Sequence, residues 1–428
     1  SDVRLVAAHD LPGLIPADAI AVSYIVGEGS LAALLVDAEG QVRYRDLGRA
    51  PELAATVDIW RRINARDHRQ GPSPAGIPGF RVWRLASGGY RLLPADVRAP
   101  RAAQEVADLA EVGRHLSQVL LQPLRQELQG RHRWIISPDG PLAQLPFETL
   151  PFGPDAQAAV VDAEIHYTQS LSVYALSRML QRQYSTLKGR QDLLAMGNAV
   201  YELAGDVVGP VGLRRDLRGA GTPLRVAQQL RDLDGLWQNL PGTEAEVRAV
   251  ARLFPDSASV YLGEQATEQQ LQALNARGEL KNYRYLLLSA HGYLSAEQPA
   301  LSSIVLGLKA RTPEADGYVT AAEWPGYDLR SELAVLSACD SGVGKVVSGE
   351  GVMGLPFAMF VAGNVNTILS LWPVDDKATA EFVTRLFEHL QAGQGAAQAL
   401  AATKREFARH RRYNHPAYWA PFVLVGAG

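Results

Sequence analysis

From Leu193 onward the chain alternates short apolar runs with amphipathic stretches, and this rhythm constrains the fold more than any other feature. The runs are Leu193–Asn198, Ser259–Leu262, Tyr285–Ala290, Leu333–Cys339, Asn366–Trp372 and Phe422–Val425, with helical spacing at about 243–254, 267–276, 353–362, 376–391 and 394–410. Alternation of strand, helix and strand implies an α/β fold with a mainly parallel sheet flanked by helices, because parallel neighbours need a crossover between them.

Two of the runs end in reactive side chains: Leu286-Leu-Leu-Ser-Ala-His291-Gly292 and Val335-Leu-Ser-Ala-Cys339-Asp-Ser-Gly342. In an open parallel sheet, chemistry gathers beyond the carboxyl ends of the strands, so both side chains belong at the same edge. Cys339 is the only cysteine in the chain, which excludes an intramolecular disulfide and leaves too few thiolates for a structural zinc site. Two readings stay open: a buried, inert thiol, or a nucleophile. A thiol with a pKa near ~8.5 is mostly protonated at neutral pH and needs a partner, which His291 would supply. Gly292 lets the backbone approach a carbonyl closely, and its N–H with that of Cys339 would form an oxyanion hole.

The first half reads differently. Residues 19–47 form an antiparallel meander, a helix spans about 51–66, and Gly71–Gly79 is a loop. A strand pair lies near 80–93, and Val106, Leu109, Val112, Leu116, Leu120, Leu124 and Leu128 predict one long amphipathic helix over 101–129. Trp134–Gly140 is a buried strand and turn, and a helix at 170–187 closes this half. The boundary near Lys188-Gly-Arg190 gives domains of 1–187 and 188–428. The glycine-rich stretch 204–224 is long for a compact domain and is therefore functional or mobile. Thr243 with Glu246 three residues on has capping-box spacing.

Forty-two basic against 45 acidic side chains leave a net charge of −3, with no overall field for nucleic acid or anionic lipid. The basic run Lys404–Arg412 reads as the solvated end of a helix. His9, His68, His115, His132, His166 and His389 stand in loop or helix settings and are structural or surface groups. Gly349-Glu-Gly-Val-Met-Gly354 fits G-x-G-x-x-G with Asp375 after the next strand, but its first glycine does not follow a strand directly. A tight entry into the helix at 353 is the favoured reading. The start Ser1-Asp-Val-Arg4 has no secretory pattern, and Gly351–Val374 reads as a helix followed by a strand rather than a membrane span. A cytoplasmic protein is expected, with a free thiol.

The ordered motifs Ser137-Pro-Asp-Gly140 with Leu145-Pro-Phe-Glu148, Leu193–Asn198, Leu240-Pro-Gly-Thr-Glu-Ala-Glu-Val247, Ser289-Ala-His-Gly292, Asp316–Thr320, Leu336–Gly342, Gly349–Pro356, Ser370–Asp376 and His415–Phe422 resemble the CHAT family. These are caspase-like proteins often fused to tetratricopeptide repeats, and the likeness runs from about residue 20 to the carboxyl terminus. It implies a caspase-like sheet, with residues 1–187 as a pseudo-caspase-like lobe lacking a dyad and 188–428 as the catalytic domain. It assigns His291 as base or thiolate partner, Cys339 as nucleophile, and the Gly292 and Cys339 N–H groups to the oxyanion.

The same resemblance implies that Ser370-Leu371-Trp372 pairs with an extended substrate backbone. Asp375 and Asp376 would line a pocket for a basic residue before the cut, as separase prefers, although Asp376 would equally serve as a helix cap. The implied activity is a cysteine endopeptidase without metal or cofactor, acting on a protein substrate. A gasdermin-like pore former in bacterial defence or regulated cell death is one such substrate. With no tetratricopeptide helices before the domain, any sensor is expected to be a separate sensor or activator protein or the loops themselves, and neither nucleic acid nor membrane is an expected partner. The alternative is a non-catalytic interaction or scaffold module.

Overall fold

The computed structural model describes residues 5–65, 77, 79–153, 155–201, 237–295, 298–309, 311–312, 314–337 and 349–428. Cys339 with Gly342 and Gly344, the stretch 204–224 and most of the loop 71–79 lie outside these residues.

Among the described residues, eleven strands form one sheet. They are β1 (Ala19–Val26), β2 (Ser30–Val36), β3 (Val42–Arg49), β4 (Arg133–Ser137), β5 (Glu164–Tyr167), β6 (Gln191–Gly197), β7 (Ala258–Leu262), β8 (Tyr283–Ser289), β9 (Leu333–Leu336), β10 (Asn366–Ser370) and β11 (Phe422–Gly426). Their spatial order is β7-β6-β8-β9-β10-β11-β5-β4-β1-β2-β3. From β7 to β10 all neighbours are parallel. β11 runs antiparallel to β10 and parallel to β5, which continues in parallel through β4 to β1. The expected mainly parallel α/β sheet is the architecture, and the meander of β1, β2 and β3 closes one end.

Burial explains the composition of the strands. Every residue of β9 and β11 is buried, and so is every residue of β8 except Arg284, because both faces of the sheet centre are covered. β3, at the edge, carries Arg43, Arg45, Asp46 and Arg49, charges that discourage pairing with another chain.

The longer helices among the described residues are α1 (Leu53–Asn64), α2 (Ala110–Leu120), α3 (Leu171–Tyr184), α4 (Gly242–Ala251), α5 (Glu268–Ala276), α6 (Gly349–Val361), α7 (Asp376–Gln391) and α8 (Ala396–Arg409). α7 buries Ala378, Phe382, Val383, Leu386, Phe387 and Leu390, a stripe at helical spacing. Phe382 stacks on Phe422 of β11 at 4.1 Å, and Phe387 meets Tyr285 of β8 edge-on at 5.9 Å.

The single helix expected over 101–129 is broken. Val106 instead donates its N–H to Val82 O (2.9 Å), α2 starts only at Ala110, and a 3-10 turn at Gln122–Leu124 interrupts it at Pro123, which has no N–H to give. The glycines of Gly349–Gly354 lie within the first turns of α6 rather than in a phosphate-binding loop, so the helix begins four residues earlier than expected. His166 is in β5, not in a loop or helix. Burial, then Arg133 and Arg178, pushes its imidazole down to about 3, and it is held neutral.

The two halves of the chain meet inside the sheet, where Tyr167 of β5 pairs with Val425 of β11. A buried polar group spans the same junction. Lys404 Nζ on α8 donates to Glu148 Oε1 at 2.5 Å, and Tyr167 OH donates to Glu148 Oε2 at 2.6 Å. Lys404 is 1% exposed, which corrects the expectation of a fully solvated basic run; its neighbour Arg405 donates to Val160 O at 2.8 Å. Burial depresses the Lys404 ammonium, and Glu148 counters this. Lys404→Met should therefore cost about 3–5 kcal/mol in a urea titration, because it leaves a buried carboxylate without its cation. Lys404→Met combined with Glu148→Gln should recover most of that loss. A single-variant cost below ~1 kcal/mol would show that the pair does not hold the halves together.

Candidate active site

The site grows from the register between β8 and β9. Tyr285, Leu286, Leu287 and Leu288 lie opposite Leu333, Ala334, Val335 and Leu336, and Ser337 extends the pairing by donating its N–H to Leu288 O at 3.0 Å. Two apolar strands thus end side by side. Just beyond β8, His291–Tyr293 turns into a small antiparallel sheet with Ser303–Val305 and Tyr318–Thr320.

His291 is 1% exposed. Its Nε2 lies 2.7 Å from Gln238 O, and since a carbonyl only accepts, Nε2 carries the proton. Nδ1 is then the basic nitrogen of the neutral ring. The His291 N–H donates to Tyr201 OH (3.2 Å), and that hydroxyl donates to Val305 O (2.9 Å). The rings of Tyr201 and Trp237 stand 4.8 and 5.0 Å from the imidazole, and Trp237 is anchored by its Nε1–H on Tyr318 OH (2.8 Å). Burial pushes the Tyr201 phenol well above its ordinary range, so it remains a neutral hydrogen-bonding group.

α4 comes close to these strand ends through Gly197, the last residue of β6. A Cβ there would lie 2.8 Å from Val247 Cγ2 and 3.1 Å from Thr243 O. Asn198, in the left-handed region at φ 51°, donates its N–H to Thr243 Oγ1 (2.7 Å) and its amide to Glu244 (2.8 Å). Thr243 Oγ1 itself donates to Leu240 O at 2.7 Å, and α4 starts after Pro241. The expected Thr243/Glu246 capping box does not form. Glu246, 2% exposed, instead turns toward the sheet, where Oε1 accepts from Ser289 Oγ (2.5 Å) and Oε2 from Ser337 Oγ (3.2 Å).

Each residue expected at the site has a definite place, except Cys339, which lies outside the described residues. Gly292 is buried opposite Ile304. Ser370 ends β10 and donates Oγ to Trp372 O at 2.8 Å, Leu371 donates its N–H to Pro421 O at 3.0 Å, and Trp372 donates Nε1–H to Ala417 O at 3.2 Å. Asp375 is the cap of α7, with Oδ1 accepting from the N–H groups of Lys377 (3.1 Å) and Ala378 (3.2 Å). Asp376 is exposed in the first turn and approaches Gly242 at the start of α4. Tyr201, Trp237, Gln238, Glu246, Ser289 and Ser337 are not among the expected site residues. Of these, Ser289 and Ser337 carried a signal, the matching Ser-Ala-His and Ser-Ala-Cys triplets.

The sheet order is that of a mainly parallel α/β fold, with a histidine just beyond the end of a central strand. Residues 110–427 match the CHAT domain, and the chain belongs to the CHAT domain family. Tetratricopeptide repeat protein 28 of Homo sapiens and that of Mus musculus are each 24% identical over 217 residues. The match covers 45% of this chain and 9% of those proteins, so it spans less than a tenth of these curated relatives. Among solved structures, the Saccharomyces cerevisiae separase–securin complex is similar with a TM-score of 0.46 and 11% identity, over 98% of this chain and 31% of that one. The Arg-specific cysteine proteinase gingipain R is similar with a TM-score of 0.39 and 10% identity, over 72% of this chain and 68% of that one.

Burial is the largest influence on Glu246 and, with Asp376 adding repulsion, raises its carboxyl from the ordinary 4.5 to about 7, against the lowering effect of the two serine hydroxyls. Below pH 4.5 the group is protonated in both folded and unfolded chains. As pH rises from there toward 7, the unfolded chain releases a proton that the folded chain keeps, so this contribution to stability is lost. The loss is on the order of 3 kcal/mol. Glu246→Gln should remove it: denaturant titrations at pH 5 and pH 8 should show the variant gaining on the parent by about that amount at the higher pH. An unchanged difference between the two pH values would contradict the assignment.

Proposed function

We propose that the protein is a cysteine endopeptidase in which His291 activates Cys339. One observation carries this reading: the register that sets Leu288 opposite Leu336, extended by Ser337, has the same sequence offset that separates His291 from Cys339. Neighbouring strands lie about 4.8 Å apart, so residues that keep this offset just beyond the paired strands would fall within reach of one another.

The chemistry follows from the imidazole tautomer. With Nε2–H held on Gln238 O, Nδ1 takes the thiol proton, giving thiolate and imidazolium. The sulfur attacks the scissile carbonyl carbon, and the developing oxyanion is met by the N–H groups of Gly292 and Cys339. Collapse breaks the C–N bond, the imidazolium proton leaves with the amine, and a thioester remains. Water then attacks the thioester with His291 as base, releasing the acid and restoring the thiol. Tyr201 and Trp237 exclude water from the ring and hold its orientation.

The family resemblance supports a protein substrate recognised by strand addition at Ser370–Trp372. Leu371 and Trp372 bury their side chains and the Leu371 N–H is held by Pro421 O, so pairing would have to use other backbone groups of this stretch. Because Asp375 is already committed to capping α7, the exposed Asp376 is the better acid for a basic residue before the cut. A gasdermin-like pore former in a bacterial defence or cell-death response is the substrate that the resemblance suggests, with a separate sensor or activator protein as trigger.

Cys339→Ala and His291→Ala should each lower peptide cleavage by at least about 10³-fold with an unchanged circular dichroism spectrum. Retained cleavage in either variant would favour a non-catalytic interaction module. In a peptide-library profile the parent should cut after Arg or Lys, and Asp376→Asn should weaken that preference by about tenfold. An unchanged profile in both Asp375→Asn and Asp376→Asn would overturn the pocket.

A further inference from the structure

Glu246 is a buried acid, 2% exposed. The ionisable neighbour that acts on it is Asp376, itself acidic. Such a group is costly unless its oxygens are hydrogen-bonded, and both are: one by Ser289, the other by Ser337. These serines are not arbitrary donors. Ser289 is the last residue of β8, two before His291, and Ser337 directly follows β9, two before Cys339. The backbone adds a third link at the same level, from Ser337 N–H to Leu288 O. The carboxyl therefore joins the two strand ends, and α4, held close at Gly197, fixes it from one side.

We propose that Glu246 is a positioning residue for the dyad, its carboxyl bridging the Ser289 and Ser337 hydroxyls so that the strand ends leading to His291 and Cys339 keep a fixed spacing. The proposal rests on the dyad reading above. It explains why an acid, rather than an apolar residue, occupies a buried position of α4: two hydroxyls approach from two strands, and one side chain with two acceptor oxygens satisfies both. Loss of the bridge lets the ends drift, and a displacement of about 1 Å between reacting groups is enough to cost about 10²-fold.

Because Cys339 is the only cysteine, its alkylation by iodoacetamide, followed against pH by intact mass, reads the dyad without a substrate. The parent should show a thiolate titration below the ordinary thiol range, and His291→Ala should return it toward ~8.5. Glu246→Met, which fills the same space without hydrogen-bonding, should move the profile upward as His291→Ala does. It should also slow alkylation at pH 7 by about tenfold. Glu246→Gln, whose amide can still bridge two hydroxyls, should recover most of the parent behaviour. If Glu246→Met does not fold, Ser289→Ala with Ser337→Ala gives the same reading from the other side of the bridge. A profile moved by His291→Ala but not by loss of the bridge overturns the positioning role alone. A profile that His291→Ala leaves in place overturns the dyad and the positioning role with it.

Discussion

The parallel pairing of β8 with β9 is the constraint on which the rest of the structure depends. A parallel pair cannot be joined by a tight turn, so the chain between the strands must leave the sheet and return. It does so through the small sheet of His291–Tyr293, Ser303–Val305 and Tyr318–Thr320. That excursion carries His291 off the end of β8 into the shelter of Tyr201 and Trp237. The return to β9 in a fixed register brings Ser337 level with the end of β8. Hydrophobic burial on both faces holds the register, because a one-residue slip would displace every side chain of both strands.

The first half of the chain is joined to this arrangement by continuity of the sheet rather than by a separate interface. β11 faces β10 on one side and β5 on the other, so a strand from the carboxyl terminus is shared by both halves. The buried Lys404–Glu148–Tyr167 group lies at the same seam, and Arg405 and the Gln181 amide, which donates to Gly428 O at 2.8 Å, add further links. Charged groups placed this deep add less to net stability than to the definition of one docking geometry.

Much of the fold was legible because it is written in local pattern. The buried strands read as apolar runs, and the stripe of α7 gave a helix over the residues it occupies. Where tertiary partners decide, the pattern misled. Thr243 and Glu246 have the spacing of a capping box whichever way Glu246 points, and only Ser289 and Ser337, distant in sequence, show that it turns to the sheet. Lys404 looks like one more cation at a helix end until Glu148 is brought against it. The 101–129 helix failed because Val106 found a strand partner in Val82 and Pro123 broke the far end, although the predicted apolar positions are almost all buried. At the site, His291 was visible from the strand it follows. Tyr201 and Trp237 were not, since single aromatics outside the patterned runs carry no periodicity.

The proposed dyad requires His291 and Cys339 to face one another beyond adjacent strand ends. The most direct measurement is the separation of Cys339 Sγ from His291 Nδ1 in a crystal structure of the protein. A distance within about 4 Å is expected, with Nε2 still on Gln238 O. A thiol more than about 7 Å from the ring and packed into the apolar core would rule the dyad out, and would leave the chain a CHAT domain without one.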